Sequence, residues 1–364
     1  MTSLTIDQRI AEIEEEMRKT PYHKGTEHHI GKLRARIAKL KDEKFQKSIS
    51  GGSGGGGGYG VAKTGDATVV FVGPPSVGKS TLLNKLTNAE SKVGAYDFTT
   101  LDVIPGMMDY KGAKIQIFDV PGIVQGAAKG KGKGKQVLSV ARTADLIVIM
   151  VDIKTIDRID QIKSELYENG VRLDEKPPQV EIIKQLSGGI KINASTKLSL
   201  DYDTVRELSS EFRLSNAEII IKEDITLDRL IDIFMGNRIY RPYIAVINKI
   251  DLGLPKDLDK KISLGTESVL ISSEIGENLD KLREKIWEKL EFIRVYLKKD
   301  EEIDRESPFI IHKGWSLKNL LDNISICDKE TFTKAKIYGP GAKYEGQEVS
   351  FNFVPQDETI VQFL

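Results

Sequence analysis

Cysteine and tryptophan are scarce in this sequence. Its 364 residues include one cysteine, Cys327, and two tryptophans. A single cysteine forms neither an internal disulfide nor a multi-cysteine metal site, so a disulfide-stabilised secreted fold is excluded. The sequence also lacks an apolar run of membrane-spanning length, and glutamates occupy the early positions where a signal peptide has its apolar segment. We therefore expect a cytoplasmic protein with no membrane partner.

An excess of charge of either sign is also lacking. Lys plus Arg number 54 and Asp plus Glu number 54, so the formal net charge is zero. Overall charge therefore favours neither nucleic acid nor a membrane surface as the partner. What the chain does have is length, because 364 residues suffice for two or three domains with buried cores.

Helical periodicity dominates the first 50 residues. Apolar side chains recur at three- and four-residue spacing in two stretches on either side of Thr20-Pro21: Ile6, Ile10, Ile13 and Met17, then Ile30, Leu33, Ile37 and Leu40. This spacing predicts a helical hairpin over residues 1–50. Seven of the eight residues from Gly51 to Gly58 are glycine, which predicts a linker or a surface loop.

Apolar runs that alternate with helical patterns follow the glycine segment. Five of these runs are typical of buried parallel strands: residues 68–73, 114–120, 144–152, 243–251 and 268–273. They predict an α/β fold in which residues 51–152 and 241–291 form a doubly wound, mostly parallel sheet with its helices.

Two further segments do not fit this alternation. Residues 153–240 predict an inserted α+β subdomain, with helices near 155–169, 203–213 and 226–235 and strands at 179–183 and 190–194. From Phe292 to Leu364, short strand patterns and one helical pattern, LKNLLDNI, predict a compact β-rich module.

The loop after the first predicted strand matches the phosphate-loop pattern. It consists of Gly73, Pro74, Pro75, Ser76, Val77, Gly78, Lys79 and Ser80, and Thr81 follows it in the next predicted helix. Such a loop lets backbone amides and the start of the helix face a polyphosphate. In this pattern Lys79 reaches the β- and γ-phosphates, and the Ser80 hydroxyl ligates Mg²⁺. We assign all nine residues to a nucleotide site.

A second motif, Asp119 to Gly122, ends the run 114–120. An aspartate at such a strand end can hold Mg²⁺ through water, and the Gly122 amide can sense the γ-phosphate. Thr99 and Thr100 lie between this motif and the phosphate loop. A threonine hydroxyl there can complete the Mg²⁺ shell only while the γ-phosphate is present. We favour Thr100 for this role, with Thr99 as the alternative.

Two later motifs indicate which base is bound. Asn248, Lys249 and Asp251 end one apolar run, and Ser272 and Ser273 end the last one. A carboxylate at Asp251 can accept two hydrogen bonds from N1 and N2 of guanine, a donor pair that adenine lacks. A loop amide near Ser272 and Ser273 can meet the guanine carbonyl. Because these signals follow apparent parallel strands, we expect them at one edge of the sheet.

The motifs together predict a GTP and GDP site with Mg²⁺. The candidate catalytic residues are Lys79, Thr100 and Gly122. The candidate Mg²⁺ ligands are Ser80, Thr100 and Asp119. A catalytic role needs a group that polarises the phosphates. A Mg²⁺ ligand needs an oxygen atom, because Mg²⁺ is a hard cation.

These motifs resemble those of the Obg-related translation-factor GTPases, and specifically of the developmentally regulated GTP-binding proteins. The resemblance also covers TEHHIGKLRARIAKLK, FTTLDVIPGMMDYKGAKIQIFDVPGIVQG and GNRIYRPYIAVINKID. It implies a P-loop GTPase domain interrupted by a ribosomal-protein-like insertion, a helical N-terminal region and a C-terminal TGS module of the β-grasp type. It also implies hydrolysis of GTP to GDP and phosphate, a role as a molecular switch, and association with the ribosome in translation.

Two departures from related patterns bear on hydrolysis. Ile123 follows Gly122, where Ras-like GTPases have the glutamine that orients the attacking water, so we expect slow intrinsic turnover. Related GTPases that use potassium hold it with an asparagine in the phosphate loop, where this chain has Ser76. The sequence therefore permits potassium dependence without requiring it.

Four lysines that alternate with glycines lie just beyond the second motif: Lys129, Lys131, Lys133 and Lys135. They form a cationic segment suited to RNA, with a solvated loop as the simpler alternative. Two other functions stay open, namely a nucleotide-regulated scaffold for a dedicated regulatory protein and a general RNA-binding protein. We favour a switch whose partner is the ribosome or RNA, and we expect a monomer.

Overall fold

The computed structural model of the chain describes residues 4–50, 64–87, 104–120, 140–255, 267–299, 302–323 and 332–364. The chain divides into two compact units. The first comprises residues 1–58, 125–142 and 161–241, and the second comprises residues 59–124, 143–160 and 242–364. The glycine-rich segment from Gly51 to Gly58, the lysines from Lys129 to Lys135 and Cys327 lie outside the described residues.

The first unit begins with the predicted pair of helices. Helix α1 spans Ile6–Lys19 and helix α2 spans Glu27–Ser50. Thr5 and Gln8 form a capping box at the start of α1, which satisfies backbone amides there. The apolar stripe of α1 is half-buried, and Leu33 of α2 is buried. The prediction of two amphipathic helices is therefore confirmed.

The rest of the first unit is a small α+β arrangement. A three-stranded sheet has the order β6–β8–β7, with β6 at Val180–Lys184, β7 at Ile190–Ala194 and β8 at Ala217–Ile221. The helices here are α5 (Tyr202–Glu211), α6 (Leu227–Met235) and all but the first three residues of α4 (Arg158–Glu168). A parallel pair joins β5 (Val171–Leu173) to β9 (Ile239–Arg241). The three predicted helices and two predicted strands of this segment are confirmed, while β5, β8 and β9 were not predicted.

Helix α2 shares a hydrophobic core with this α+β part. Its Ala35 lies in one buried cluster with Leu208 and Leu230. Gly31 lets α2 lie close to α6, because a Cβ atom at Gly31 would lie 3.1 Å from Cδ1 of Leu227 in α6. The N-terminal helices and residues 161–241 therefore form one compact unit, a grouping that periodicity does not indicate.

The second unit contains a six-stranded sheet of order β11–β10–β4–β1–β3–β2. Its strands are β1 (Ala67–Val72), β2 (Ile104–Tyr110), β3 (Ala113–Asp119), β4 (Leu146–Asp152), β10 (Tyr243–Asn248) and β11 (Ser268–Leu270). Every neighbouring pair is parallel except β2 with β3. Helices α3 (Lys79–Leu86) and α7 (Leu279–Lys289) contribute to the core that covers the sheet. The predicted α/β fold with a mostly parallel sheet is confirmed.

Strand β2 was not predicted from periodicity. It contains Pro105 and Gly106, two residue types that are depleted in strands. The strand lies at the edge of the sheet, where proline is tolerated. A Cβ atom at Gly106 would lie 2.5 Å from Thr87 Cγ2 and 2.8 Å from Leu83 Cδ1. Glycine therefore lets this strand lie against the end of α3.

Gly106→Ala is expected to destabilise the protein, because the added methyl group overpacks this contact. Overpacking costs about 1–3 kcal/mol, and we expect the free energy of unfolding in urea to fall by that amount. Asp109→Ala is the matched control on the exposed side of the same strand, with an expected change of less than about 0.5 kcal/mol. Equal losses for the two variants would contradict the packing argument.

The described residues in the C-terminal part of the second unit form a mixed sheet and one helix. The strands are β12 (Phe292–Lys299), β13 (Glu302–Ile303), β14 (Phe309–His312), β15 (Ala335–Tyr338), β16 (Gln347–Val349) and β17 (Thr359–Phe363), and the helix is α8 (Leu317–Asn323). β12 and β17 are parallel neighbours, and Val295 and Val361 share a core with Leu317 and Leu320. Among the described residues, no helix has both the length and the apolar character needed to cross a membrane.

Candidate nucleotide-binding site

Several predicted site residues lie at the carboxyl edge of the six-stranded sheet. The loop of residues 73–78 follows β1, Asp119 ends β3, and Asn248 ends β10. The parallel register places Phe71 of β1 opposite Asp119. It also places Asp152, the last residue of β4, opposite Asn248. The structure therefore brings these segments together around the start of α3, as expected for the carboxyl ends of parallel strands.

The loop of residues 73–78 is tight, and it requires glycine at both ends. A Cβ atom at Gly73 would lie 2.0 Å from the carbonyl oxygen of Met150. Gly78 has a φ of +98°, and a Cβ atom there would lie 2.4 Å from Asn248 Nδ2. Helix α3 begins directly afterwards at Lys79. The first amides of a helix lack intrahelical partners and carry its positive dipole end, so this position favours an anion.

Gly78→Ala tests this steric requirement. The variant combines the strain of a left-handed backbone with a clash against Asn248, so we expect GTP affinity to fall by about tenfold. Gly314→Ala is the matched control, because Gly314 has a φ of +89° and nothing lies within 4 Å of its Cβ position. The control should lower stability without lowering GTP affinity. Equal GTP affinities for the two variants would contradict the requirement.

Lys79 is a buried cation that faces the loop. It is 7% exposed, and its Nζ donates hydrogen bonds to the carbonyl oxygens of Gly73 at 3.1 Å and Pro74 at 2.8 Å. Burial lowers the pKa of Lys79, and the nearby Asp119 carboxylate opposes that shift. Carbonyl oxygens neutralise a buried ammonium incompletely, so this position favours a negatively charged group such as a phosphate.

Ser80 and Asp119 place two oxygen-bearing side chains beside Lys79. The Ser80 hydroxyl donates a hydrogen bond to Asp119 Oδ2. Asp119 is 6% exposed, and its Oδ1 atom is buried without a hydrogen-bond partner among the described residues. A buried carboxylate oxygen without a donor is costly unless a ligand supplies the missing interaction. Hydroxyl and carboxylate oxygens are ligands that Mg²⁺ prefers, so the pair fits this ion or its bound water.

Asn248 connects the phosphate loop to the loop that contains Ser273. Its Nδ2 donates to the carbonyl oxygen of Val77 at 2.8 Å and to Ser273 Oγ at 2.7 Å. Its Oδ1 accepts a hydrogen bond from the Ser273 backbone amide at 2.9 Å. The side chain is buried, and its hydrogen bonds fix the distance between the two loops.

The next residues of this motif line the edge of the site. Lys249 has a φ of +66°, which ends β10 earlier than the predicted run, and its Nζ donates to the Ser76 carbonyl oxygen at 2.6 Å. Asp251 accepts a hydrogen bond from the hydroxyl of Ser272, which is buried. Asp251 itself is exposed. A carboxylate rejects adenine when it is left buried without donors, so Asp251 can do so only once a base covers it.

Three of the predicted residues cannot be placed in this site. Thr99, Thr100 and Gly122 lie outside the described residues, as does Ile123. Their assignment to the γ-phosphate and to Mg²⁺ stays a prediction.

Asp152 also lies at this edge of the sheet, although it belongs to none of the predicted motifs. Its Oδ2 accepts a hydrogen bond from Lys249 Nζ at 3.1 Å. The signal that singled out Asp119, an acidic residue at the carboxyl end of an apolar run, is also present at Asp152. Only the register of β4 with β10 shows that this carboxylate meets Lys249.

Comparison with known proteins agrees with this geometry. A family model described as "50S ribosome-binding GTPase" matches residues 68–185. A second model, described as "C-terminal region of MMR_HSR1 domain", matches residues 187–292. The first match includes the phosphate loop and Asp119, and the second includes Asn248 and Ser273.

Full-length relatives determine the family. Developmentally-regulated GTP-binding protein 1 of Xenopus laevis is 42% identical over 98% of this chain and 98% of its own. The chain belongs to the developmentally regulated GTP-binding protein family. Developmentally-regulated G-protein 3 of Arabidopsis thaliana is 42% identical over 99% of both chains. An uncharacterized GTP-binding protein of Methanocaldococcus jannaschii is 47% identical over 98% of this chain and 92% of its own.

Membership of the developmentally regulated GTP-binding proteins fixes the general activity. The chain is a GTP-binding protein with a P-loop GTPase domain, the domain of enzymes that hydrolyse GTP. The six-stranded sheet and its phosphate loop are the α/β framework of that domain. The resemblance drawn from the sequence motifs is thereby confirmed.

Proposed function

We propose that this protein is a Mg²⁺-dependent GTPase that acts as a molecular switch on the ribosome during translation. One observation carries the proposal: Lys79, the Ser80–Asp119 pair and the Asn248–Asp251 segment meet at one edge of one sheet. A triphosphate, a divalent cation and a guanine base require these three groups side by side. The family model described as a 50S ribosome-binding GTPase supports the ribosome as the partner.

Each described residue has a separate task in this proposal. Lys79 binds the β- and γ-phosphates, while Asn248 holds the phosphate loop beside the base loop. Ser80 and Asp119 would hold Mg²⁺, which when bound neutralises charge on the phosphate oxygens. The Asp251 carboxylate accepts hydrogen bonds from N1 and N2 of guanine.

Thr100, with Thr99 as the alternative, and Gly122 supply the contacts that depend on the γ-phosphate. Their sequence positions, between the phosphate loop and the end of the second motif, support this assignment. Loss of the γ-phosphate on hydrolysis would remove both contacts at once. Ile123 stands where Ras-like GTPases have the glutamine that orients the attacking water, which supports slow intrinsic turnover.

The C-terminal sheet is proposed to be a TGS module that docks the protein. Its support is the arrangement of its described strands, because β12 and β17, the first and last of them, are parallel neighbours that share a core with helix α8, as in a β-grasp fold. A ribosomal partner also places the protein in the cytoplasm. The alternating lysines from Lys129 to Lys135 supply charge suited to ribosomal RNA.

Sedimentation with ribosomes tests the proposal. The purified protein is mixed with ribosomes and GTP, a non-hydrolysable GTP analogue, GDP or no nucleotide, and is then pelleted at low and high salt. We expect most co-sedimentation with the analogue, and we expect it to survive high salt. If the protein binds no ribosomes but forms a stable complex with another protein, the alternative function is favoured, namely a nucleotide-regulated scaffold for a regulatory protein. Ribosome binding that is the same with every nucleotide, and whose affinity falls steeply as the salt concentration rises, would favour a general RNA-binding protein.

Steady-state hydrolysis tests the catalytic part separately. Phosphate release from GTP is measured with and without Mg²⁺, and in potassium or sodium buffer. We expect slow turnover that requires Mg²⁺, while the comparison of the two buffers determines whether turnover depends on potassium. Turnover that is equally fast in the presence of a chelator would contradict the Mg²⁺ assignment.

A further inference from the structure

Asp152 lies at the end of β4, beside the base motif. The register of the sheet places it opposite Asn248, the last residue of β10, so Lys249 is the first residue after the neighbouring strand. The Asp152 side chain is only 12% exposed. A carboxylate this far from water needs partners for its charge, and their identity indicates its role.

The Asp152 carboxylate accepts hydrogen bonds at both of its oxygen atoms. Its Oδ1 accepts from the Thr155 hydroxyl at 2.8 Å and from the Lys154 backbone amide at 3.1 Å. Its Oδ2 accepts from Lys249 Nζ at 3.1 Å. Burial alone would raise the pKa of Asp152, but the hydrogen bonds from Thr155 and Lys249 outweigh it and hold the pKa below its ordinary value. The group is therefore a fixed anion at neutral pH.

Lys249 is held at its far end by two acceptors. Its Nζ lies 2.6 Å from the Ser76 carbonyl oxygen and 3.1 Å from Asp152 Oδ2, so the side chain reaches from the base motif to the phosphate loop. A lysine side chain otherwise samples many rotamers, which it must give up when a ligand packs on it. The Asp152 carboxylate removes that freedom before a ligand arrives.

We propose that Asp152 is a positioning residue of the guanine nucleotide site. It holds Lys249 extended against the phosphate loop, so that the methylene stem of the lysine forms a preorganised wall for the base. Asp152 itself does not touch the nucleotide. This inference rests on the proposed guanine site, and it adds a residue that neither the phosphate-loop pattern nor the base motif contains.

The release rate of a fluorescent GDP derivative measures this effect. Asp152→Asn keeps the shape of the side chain and removes its charge, and we expect release to become about tenfold faster. Lys249→Met removes the group on which Asp152 acts. Adding Asp152→Asn to Lys249→Met should therefore change release by less than about twofold, whereas a purely structural Asp152 would show its full effect in both backgrounds.

Asp145→Asn is the matched control. Asp145 precedes the same strand at its opposite end, where it accepts a hydrogen bond from the Thr68 amide at 2.9 Å. This control should release GDP within about twofold of the wild-type rate, even if it lowers the melting temperature. Thr155→Val provides a second variant that keeps the carboxylate but loses one of its donors, and it should release GDP about threefold faster.

The outcomes separate the inference from the site on which it rests. Wild-type release rates for both Asp152→Asn and Thr155→Val would overturn the positioning role, provided that the wild-type protein retains GDP. A full additional effect of Asp152→Asn in the Lys249→Met background would overturn it as well. A wild-type protein that fails to retain GDP would instead contradict the guanine site itself.

Discussion

Replacing Lys79 with alanine is expected to reduce GTP turnover by about 10³-fold, the loss found when a preorganised charge that stabilises a transition state is removed. Lys79 is buried beneath the phosphate loop with carbonyl oxygens as its acceptors, so its charge is available to the phosphates. Phosphate release under saturating GTP measures the loss.

Lys85→Ala provides the matched control for Lys79→Ala. Lys85 lies on the same helix, α3, but its side chain is exposed. Turnover of this control should stay within about twofold of wild type, because an exposed charge at the far end of the helix is screened by water. Turnover of Lys79→Ala within tenfold of wild type would show that the loop does not act on the phosphates.

Asp251→Asn is expected to change the base that the protein prefers. An asparagine side chain offers one acceptor and one donor where aspartate offers two acceptors. Guanine presents two donors at N1 and N2, whereas xanthine presents a donor at N1 and an acceptor at the neighbouring carbonyl. We therefore expect GTP affinity to fall by about 10²–10³-fold and XTP affinity to rise above it.

Competition between GTP and XTP for the Asp251→Asn variant measures this change. Asp280→Asn is the matched control, because Asp280 is an exposed carboxylate in the first turn of α7, where it pairs with Arg283. The control should keep the wild-type preference for GTP. An Asp251→Asn variant that still prefers GTP would mean that another residue recognises the base.

The main sheet was predictable because buried parallel strands are apolar throughout. β1 and β4 are buried at every position, so a continuous apolar run identifies them without knowledge of their neighbours. β2 and β8 were not predictable in this way. β2 contains Pro105 and Gly106, and β8 is a five-residue strand that becomes a central strand only through its pairing with β6 and β7.

The site was predictable to the extent that its residues are close in sequence. The phosphate loop and the base motif are short patterns whose spacing follows from the chemistry of a phosphate and a purine. The contact between Lys249 and Asp152 joins residues that are 97 positions apart. Such a contact depends on which strands are neighbours and in which register, and no local pattern specifies that.

The grouping of the N-terminal helices with residues 161–241 has a similar cause. The apolar stripe of α2 predicts that one face is buried, but any apolar surface could cover it. Gly31 and Ala35 make that face flat enough to pack on Leu208 and Leu227. Small residues on a helix indicate close packing only when the partner helix is known.

A competition experiment with the wild-type protein tests the central claim that one sheet edge binds a guanine nucleotide. Fluorescent GDP is bound in the presence of Mg²⁺ and is then challenged with GTP, GDP or ATP. We expect GTP and GDP to displace it near stoichiometric concentration and ATP to fail at about a thousandfold excess, because adenine cannot pair with Asp251. Displacement by ATP at the same concentration as GTP would contradict the claim.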